Sequence, residues 1–240
     1  MMVSTRMGLR DEWGSIISVL REIIPVYDKV NNVISLGRAE EMRRLGIVEG
    51  VEDGYLVLDA GSGFGNMSKS MLSIFPNVKV VMLDPIAEML YLANERMEDG
   101  KYKGRISLVS GIFEYIPFKS NTFDAIVCGY SFRDAVIMKD AIREFHRVLK
   151  DNGRLIIVDI GKPDNPFVRL GVTLYIRFIL AILAFFAAGR LGLKFAAIYD
   201  TYKRLPKNSE MIAMLRERFG SIRFVSRMLG AAIIFIASKH

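Results

Sequence analysis

The sequence predicts an α/β fold, a mostly parallel seven-stranded sheet with helices on both faces and an antiparallel C-terminal edge. Three observations predict it. Between residues 55 and 160, short apolar runs rich in β-branched residues alternate with amphipathic stretches, the rhythm of parallel strands joined by crossover helices. The first run, YLVLD, passes through a glycine-rich loop directly into a helix. At the other end, IRFVSRM and AAIIFIAS flank Leu229 and Gly230, a spacing that suits a hairpin returning along the sheet edge.

Taken in order, residues 1–50 form a helical cap. Ile16, Ile17, Val19, Leu20 and Ile23 fall at helical spacing, Pro25 interrupts them, and Tyr27 to Leu36 resumes the pattern. The core at 55–160 reads YLVLD, helix 65–75, VKVVML, helix 86–97, RISLV, FDAIVCG, helix 136–149 and RLIIVDI. Residues 166–200 break the rhythm, being too apolar for a surface loop. At 205–240, Ser209 is placed to cap a helix running to Phe219, and the last two strands follow. A chain of 240 residues holds all this as one domain.

Composition excludes several classes. A single cysteine, Cys128, forbids an internal disulfide framework, and with only His146 and His240 no cluster has metal-ligand spacing, so no metal site is expected. The N-terminal MMVSTRMGLRDEWGSII is charged before any long apolar run, unlike a cleaved leader, and the expected setting is cytoplasmic. The formal charge of +7 is uneven: residues 1–160 carry 20 Lys/Arg against 22 Asp/Glu (−2), and residues 161–240 carry 13 against 4 (+9). Such a basic region suits a solvated helix face, nucleic acid or an anionic membrane surface.

The loop after YLVLD is Asp59-Ala-Gly61-Ser62-Gly63-Phe64-Gly65. Glycines let a ligand approach the backbone where N–H groups at a helix start point outward. The dinucleotide fingerprint is G-x-G-x-x-G with a pyrophosphate on the helix end, whereas this loop is G-x-G-x-G preceded by an acid. A carboxylate at Asp59 opposes a phosphate pair and favours the α-ammonium of S-adenosylmethionine, directly or through water. Asp84, closing VKVVMLD, sets a second carboxylate at the same sheet edge, where a ribose diol needs acceptors. It also suits a helix cap before Pro85. NAD would use the same acid, so Asp84 marks an adenosine nucleoside and Asp59 the methyl donor. A Rossmann-like fold with S-adenosyl-L-methionine as cofactor is the expectation.

YDKVNNVISLG at 27–37, YIPFKSNTFDAIVCGYSFRDA at 115–135 and AIREFHRVLKDNGRLIIVDIGKP at 141–163 add to this. Together they resemble the ubiquinone/menaquinone biosynthesis C-methyltransferase family: its Tyr-Asp…Asn…Leu-Ser-x-Gly helix, its Leu-Pro-Phe…Phe-Asp segment with the Phe-Gly-Leu-Arg-Asn signature, and the stretch that follows. The resemblance runs from Tyr27 to about Ser238 and implies a class I methyltransferase that C-methylates a lipophilic quinol precursor. The residues expected to bind the cofactor are Tyr27, Asp59, Gly61, Ser62, Gly63, Gly65, Asp84, Pro85, Met89, Ile112, Phe113 and Gly129. Where the family has Gly-Asp-Ala after the third strand this chain has Gly111-Ile112-Phe113. Ile112 cannot accept from the adenine amino group, which leaves the backbone near Phe113 or apolar contact with Ile112, Phe113 and Met89. The family's Arg-Asn is Arg133-Asp134, and its His-Arg pair is Ala39-Glu40, so the role of that pair does not carry over.

In this fold the loop after the fourth strand faces the methyl group, which makes Arg133 and Asp134 the catalytic candidates. Arg133 would stabilise a ring oxyanion, and Asp134, directly or through water, would take the ring proton. The plain alternative is a surface ion pair of little energetic value. His146, on helix 136–149 and away from the loop, reads as structural. A nucleic-acid methyltransferase is disfavoured, because the fourth strand lacks an Asn/Asp-Pro-Pro-aromatic ending and no proline precedes Cys128. A phospholipid or other small-molecule N/O-methyltransferase and a non-catalytic adenosine-nucleoside or NAD-binding module stand as alternatives.

The apolar segment carries three expectations. Phe178 to Ala188 is eleven consecutive apolar residues, short of the roughly 20 that span a bilayer. An interfacial lid would let Arg169, Arg177, Arg190 and Lys194 reach head groups of an anionic membrane. A core helix pair would pack on the sheet or on a homodimer partner, and a true span would bury Arg177.

Overall fold

The computed structural model describes residues 22–97, 102 and 104–240, so the spacing read from Ile16 to Leu20 lies outside the described residues. Pro25 stands in a 3-10 turn, Ile24–Val26, where its missing N–H costs nothing, and α1 (Tyr27–Ile34) and α2 (Ala39–Gly50) follow. The seven strands are β1 (Leu56–Ala60), β2 (Lys79–Asp84), β3 (Ile106–Ser110), β4 (Phe123–Gly129), β5 (Leu149–Ile160), β6 (Ser221–Arg227) and β7 (Ala232–Ser238). Their order is β3-β2-β1-β4-β5-β7-β6, parallel except for β7, which runs antiparallel to both neighbours. Helices α3 (Asn66–Ile74), α4 (Ala87–Glu95) and α5 (Met138–Val148) make the crossovers. The strand order reverses between β1 and β4, and that reversal opens a crevice at their carboxyl ends.

Strand alternation builds a core on each face. Leu155 and Ile157 of β5 join one cluster, Ile156 and Val158 the other. On the second face α2 seats close to β5, since a Cβ at Gly50 would lie 2.3 Å from Ile156 Cγ1. β5 begins at Leu149, ahead of the expected RLIIVDI, because a register shift between Phe123 and Ala125 pairs Phe123 with Leu149 and Ala125 with Arg154. His146 packs edge-on against Phe219, with ring centroids 5.4 Å apart.

The apolar segment is helical throughout: α6 (Pro166–Leu174), a π-helical turn (Tyr175–Ile179), α7 (Leu180–Ala188), 3-10 turns (Gly189–Ala197) and α8 (Ile198–Arg204). Asn165 starts it, its side chain accepting from the Phe167 and Val168 N–H groups at 2.9 and 3.2 Å. Ile176, Leu180, Ala184, Ala187 and Phe195 are buried in the first-face core, and Tyr175 Oη donates to Ile34 O at 2.8 Å. The helix-pair expectation therefore accounts for the inner face of this segment. After it, α9 (Asn208–Arg216) is capped at Lys207, whose N–H donates to Glu210 Oε2 at 2.8 Å. Ser209 is not the cap, because its hydroxyl donates to Asp164 Oδ1 at 2.6 Å instead.

Candidate active site

The glycine loop is pinned to the end of β2, where Leu83 O accepts the Gly61 and Ser62 N–H groups at 2.8 and 3.1 Å. Gly61 has φ +67°, and a Cβ there would approach Ser131 Cβ to 2.6 Å and Phe113 Cζ to 2.8 Å, so no larger residue fits. Asp84 links this loop to the next turn. Its Oδ2 accepts the Gly63 N–H at 2.8 Å and its Oδ1 the Ile86 N–H at 2.9 Å, which leaves each oxygen a further lone pair. Burial pushes its carboxyl up to about 6. Asp59 is more deeply enclosed. Its Oδ2 accepts both the Ser68 N–H at 3.0 Å and the Ser68 hydroxyl at 2.6 Å, while Oδ1 is buried without a hydrogen-bond partner among the described residues. Burial raises Asp59 to about 7, and Ser62 Oγ is likewise buried and unpartnered. Two such atoms in one wall fit a ligand that brings its own polar groups.

These groups line a cleft of about 720 Å³, together with Tyr27, Gly61, Gly63, Pro85, Met89, Phe113, Gly129 and Asp134. A second cavity of about 530 Å³ adjoins it beneath the apolar segment, walled by Ile23, Phe195, Ala197 and Ile198 and carrying Arg133, Lys194 and Thr201. Tyr27 and Asp134 belong to both. The Tyr27 ring packs between Phe64 and Phe195, at 5.0 and 6.1 Å between centroids. Arg133 is buried. Its Nη1 donates to Asp159 Oδ1 at 2.7 Å, and its Nε stands 4.0 Å from Asp134 Oδ1 with no hydrogen-bond partner among the described residues. Burial opposes the guanidinium charge, but Asp159 and Asp134 outweigh it and hold Arg133 above its ordinary value. Burial also pushes Asp134 up to about 6, against the pull of Arg133. The surface ion pair considered from the sequence is thus drawn inward, with Arg133 buried and Asp134 half-buried, and the close buried partner of Arg133 is Asp159 instead.

The ubiE/COQ5 methyltransferase family matches residues 7–239 of this chain. The chain belongs to that family. Methyl transfer is accordingly its activity. The ubiquinone/menaquinone biosynthesis C-methyltransferase UbiE of Hahella chejuensis is 29% identical over 208 residues, which cover 86% of this chain and 80% of that one. A demethylmenaquinone methyltransferase of Symbiobacterium thermophilum is 29% identical over 223 residues, covering 89% and 88%. Among solved structures, a SAM-dependent methyltransferase from Thermotoga maritima superposes with a TM-score of 0.66 at 14% identity over 93% of this chain and 99% of its own, a likeness of fold.

Within the family frame, most of the residues expected from the sequence meet at the cleft, but Gly65, Ile112 and Arg133 do not line it. Gly65 is the left-handed cap of α3, and a Cβ there would meet Met97 Cε at 2.7 Å, behind the loop. Ile112 forms a backbone bridge with Tyr115, and Phe113 and Met89 form the apolar wall. Arg133 opens on the second cavity. Glu40, at the position of the family's His-Arg pair, accepts from Ser70 Oγ at 2.6 Å. Several lining residues were missed, Tyr130 and Ser131 among them, and two others bear on the chemistry. Arg43 lines the cleft with its guanidinium 5.1 Å over the Tyr130 ring and its Nε buried without a hydrogen-bond partner among the described residues. Asp159 was missed as the partner of Arg133, and its signal was an acid inside the otherwise apolar RLIIVDI strand.

Proposed function

We propose that this chain transfers the methyl group of S-adenosylmethionine to a ring carbon of a lipophilic quinol precursor, in the setting of menaquinone- or ubiquinone-type biosynthesis. The observation that carries it is the junction of two cavities at Tyr27 and Asp134, one with unpartnered buried polar atoms, the other walled by apolar groups around a buried arginine. Asp59 Oδ1 and Ser62 Oγ suit the amino-acid end of the cofactor, Arg43 its carboxylate, Asp84 the ribose hydroxyls, and Phe113 with Met89 the adenine ring. The cofactor supplies an electrophilic methyl group.

The remaining work falls to the chain. Arg133, kept charged and clamped by Asp159, holds the negative charge of the ring oxygen and so favours attack from carbon. Once the new C–C bond has formed and the S–C bond has broken, Asp134, raised to about 6, is ionised at neutral pH yet basic enough to take the ring proton and restore the aromatic ring. Tyr27 and Phe195 wall the reacting ring from water. The test is methyl transfer from labelled S-adenosylmethionine to a prenylated demethyl quinol, with the labelled position found by fragmentation. Label on a ring carbon is expected, with turnover lost in Asp134→Asn while cofactor affinity stays. Label on a phospholipid amine, or no transfer to any quinol, would refute the assignment.

A further inference from the structure

The segment from Pro166 to Arg204 is long and apolar enough to cross a membrane, and only 22% of its most apolar window is buried. Its inner stripe, Ile176, Leu180, Ala184 and Ala187, is committed to the core. Its outer stripe is not covered by any described residue to the same degree: Phe167 is 83% exposed and Phe186 81%, with Leu170, Leu174, Phe178 and Ile182 between them, about half exposed. Steps of three and four residues, carried through the π-helical turn, put these six on one broad face of the helical run, about 28 Å long at 1.5 Å per residue. A solvated monomer rarely leaves so large a contiguous apolar surface to water.

The charges around this stripe say what covers it. From Asn165 to Tyr199 the chain has four cations, Arg169, Arg177, Arg190 and Lys194, and no acidic residue; Asp164 and Asp200 stand at its two ends, and Lys194 is paired with Glu22, so the three arginines carry the surface charge. A second copy laid symmetrically on the stripe would bring two such cationic sets together with no carboxylate from either segment to offset them. A lipid surface bearing anionic head groups complements both features, taking the aromatic stripe at the acyl boundary and the long basic side chains at head-group level. We infer that the outer face of α6–α7 is a docking surface for an anionic membrane, on which the enzyme lies without spanning it. Spanning would pull Ile176, Leu180 and Ala184 out of the core.

This deepens the proposed function and names where its acceptor is met. The same segment walls the second cavity through Lys194, Phe195 and Ile198, so a prenylated ring passes from the bilayer into the cavity with little exposure to water. The experiment is sedimentation of the full-length protein with phosphatidylcholine vesicles, with and without phosphatidylglycerol, at low and high salt. Binding that needs the anionic lipid, weakens with salt, and falls by about tenfold or more in Phe178→Ser/Phe186→Ser is expected, since each lost aromatic contact is worth at least that factor. Adenosylhomocysteine affinity unchanged in the variant shows that the fold is intact. Three outcomes overturn the inference: protein left in the supernatant with a dimer that the double variant dissociates, equal binding to neutral vesicles at any salt, or protein that only detergent extracts. None of these readouts involves methyl transfer, so failure on a quinol acceptor with vesicle binding intact refutes the substrate and leaves the surface standing.

Discussion

Asp59 makes the affinity for the cofactor depend on pH in a direction that the structure sets. Burial lifts its carboxyl from 3.8 to about 7, and its Oδ1 has no hydrogen-bond partner among the described residues. An α-ammonium at that oxygen needs the ionised form. With that value the ligand-free carboxyl is roughly 90% ionised near pH 8 and roughly 10% near pH 6, so adenosylhomocysteine should bind roughly tenfold more weakly at the lower pH, about 1.3 kcal/mol. Asp84, at about 6, adds at most about another factor of two. Calorimetry in buffers of different ionisation enthalpy should show proton release on binding near pH 6.5, about one proton at most. Asp59→Asn should flatten the profile and, near pH 8, cost about 1.5–3 kcal/mol of affinity, the range for a hydrogen bond to a charged group. Stability runs the other way. The folded carboxyl holds its proton more tightly than the unfolded one, so the ligand-free protein loses stability as pH rises from 3.8 towards about 7, and the cost is complete above that. An affinity that is level from pH 6 to pH 8, or a slope that persists in Asp59→Asn, would show that Asp59 does not face the ammonium.

Asp84→Ala should weaken adenosylhomocysteine binding by about 1.5–3 kcal/mol in the same calorimetry, and an unchanged affinity would remove Asp84 from the site. Arg133→Met leaves Asp159 buried without its partner and should lower unfolding free energy by about 3–5 kcal/mol in a denaturant titration. The double change Arg133→Met/Asp159→Leu should recover much of that stability but not turnover; a single variant as stable as the parent would contradict the buried pair. Gly61→Ala puts a methyl group against Ser131 and Phe113 at positive φ, so a loss of about 1–3 kcal/mol in stability with loss of cofactor binding is expected, and normal binding would show that the loop can move aside. Because Phe113 and Met89 line the adenine side and Ile112 offers no acceptor, the inosine analogue of adenosylhomocysteine should bind within about tenfold of the parent; rejection by several hundredfold would mean that another acceptor reads the amino group.

Much of this was determined by the sequence alone, because strand periodicity, the G-x-G-x-G turn and acids at strand ends are local features. Asp59 and Asp84 could be assigned to one edge of the sheet from position, since parallel strands that end in loops deliver their last residues to the same side. Arg133 and Asp134 came from the signature loop after β4, and the structure brings Asp134 to the junction of the cavities and Arg133 to the second cavity alone. What local pattern could not decide was which side chains meet across the fold. Arg43 sits in the helical cap, where the sequence analysis singled out no cleft residue after Tyr27, and the packing of α2 turns it towards Tyr130. Arg133 and Asp159 are 26 residues apart in the chain, and their pairing depends on β4 and β5 lying side by side. Ile112 was placed beside adenine by its position after β3, but in the fold it is not among the residues that line the cleft. The apolar segment is the clearest case. A helix apolar on every side has no periodicity to say which face is buried, so the division between Ile176, Leu180 and Ala184 inside and Phe167, Phe178 and Phe186 outside exists only once α7 lies against the core.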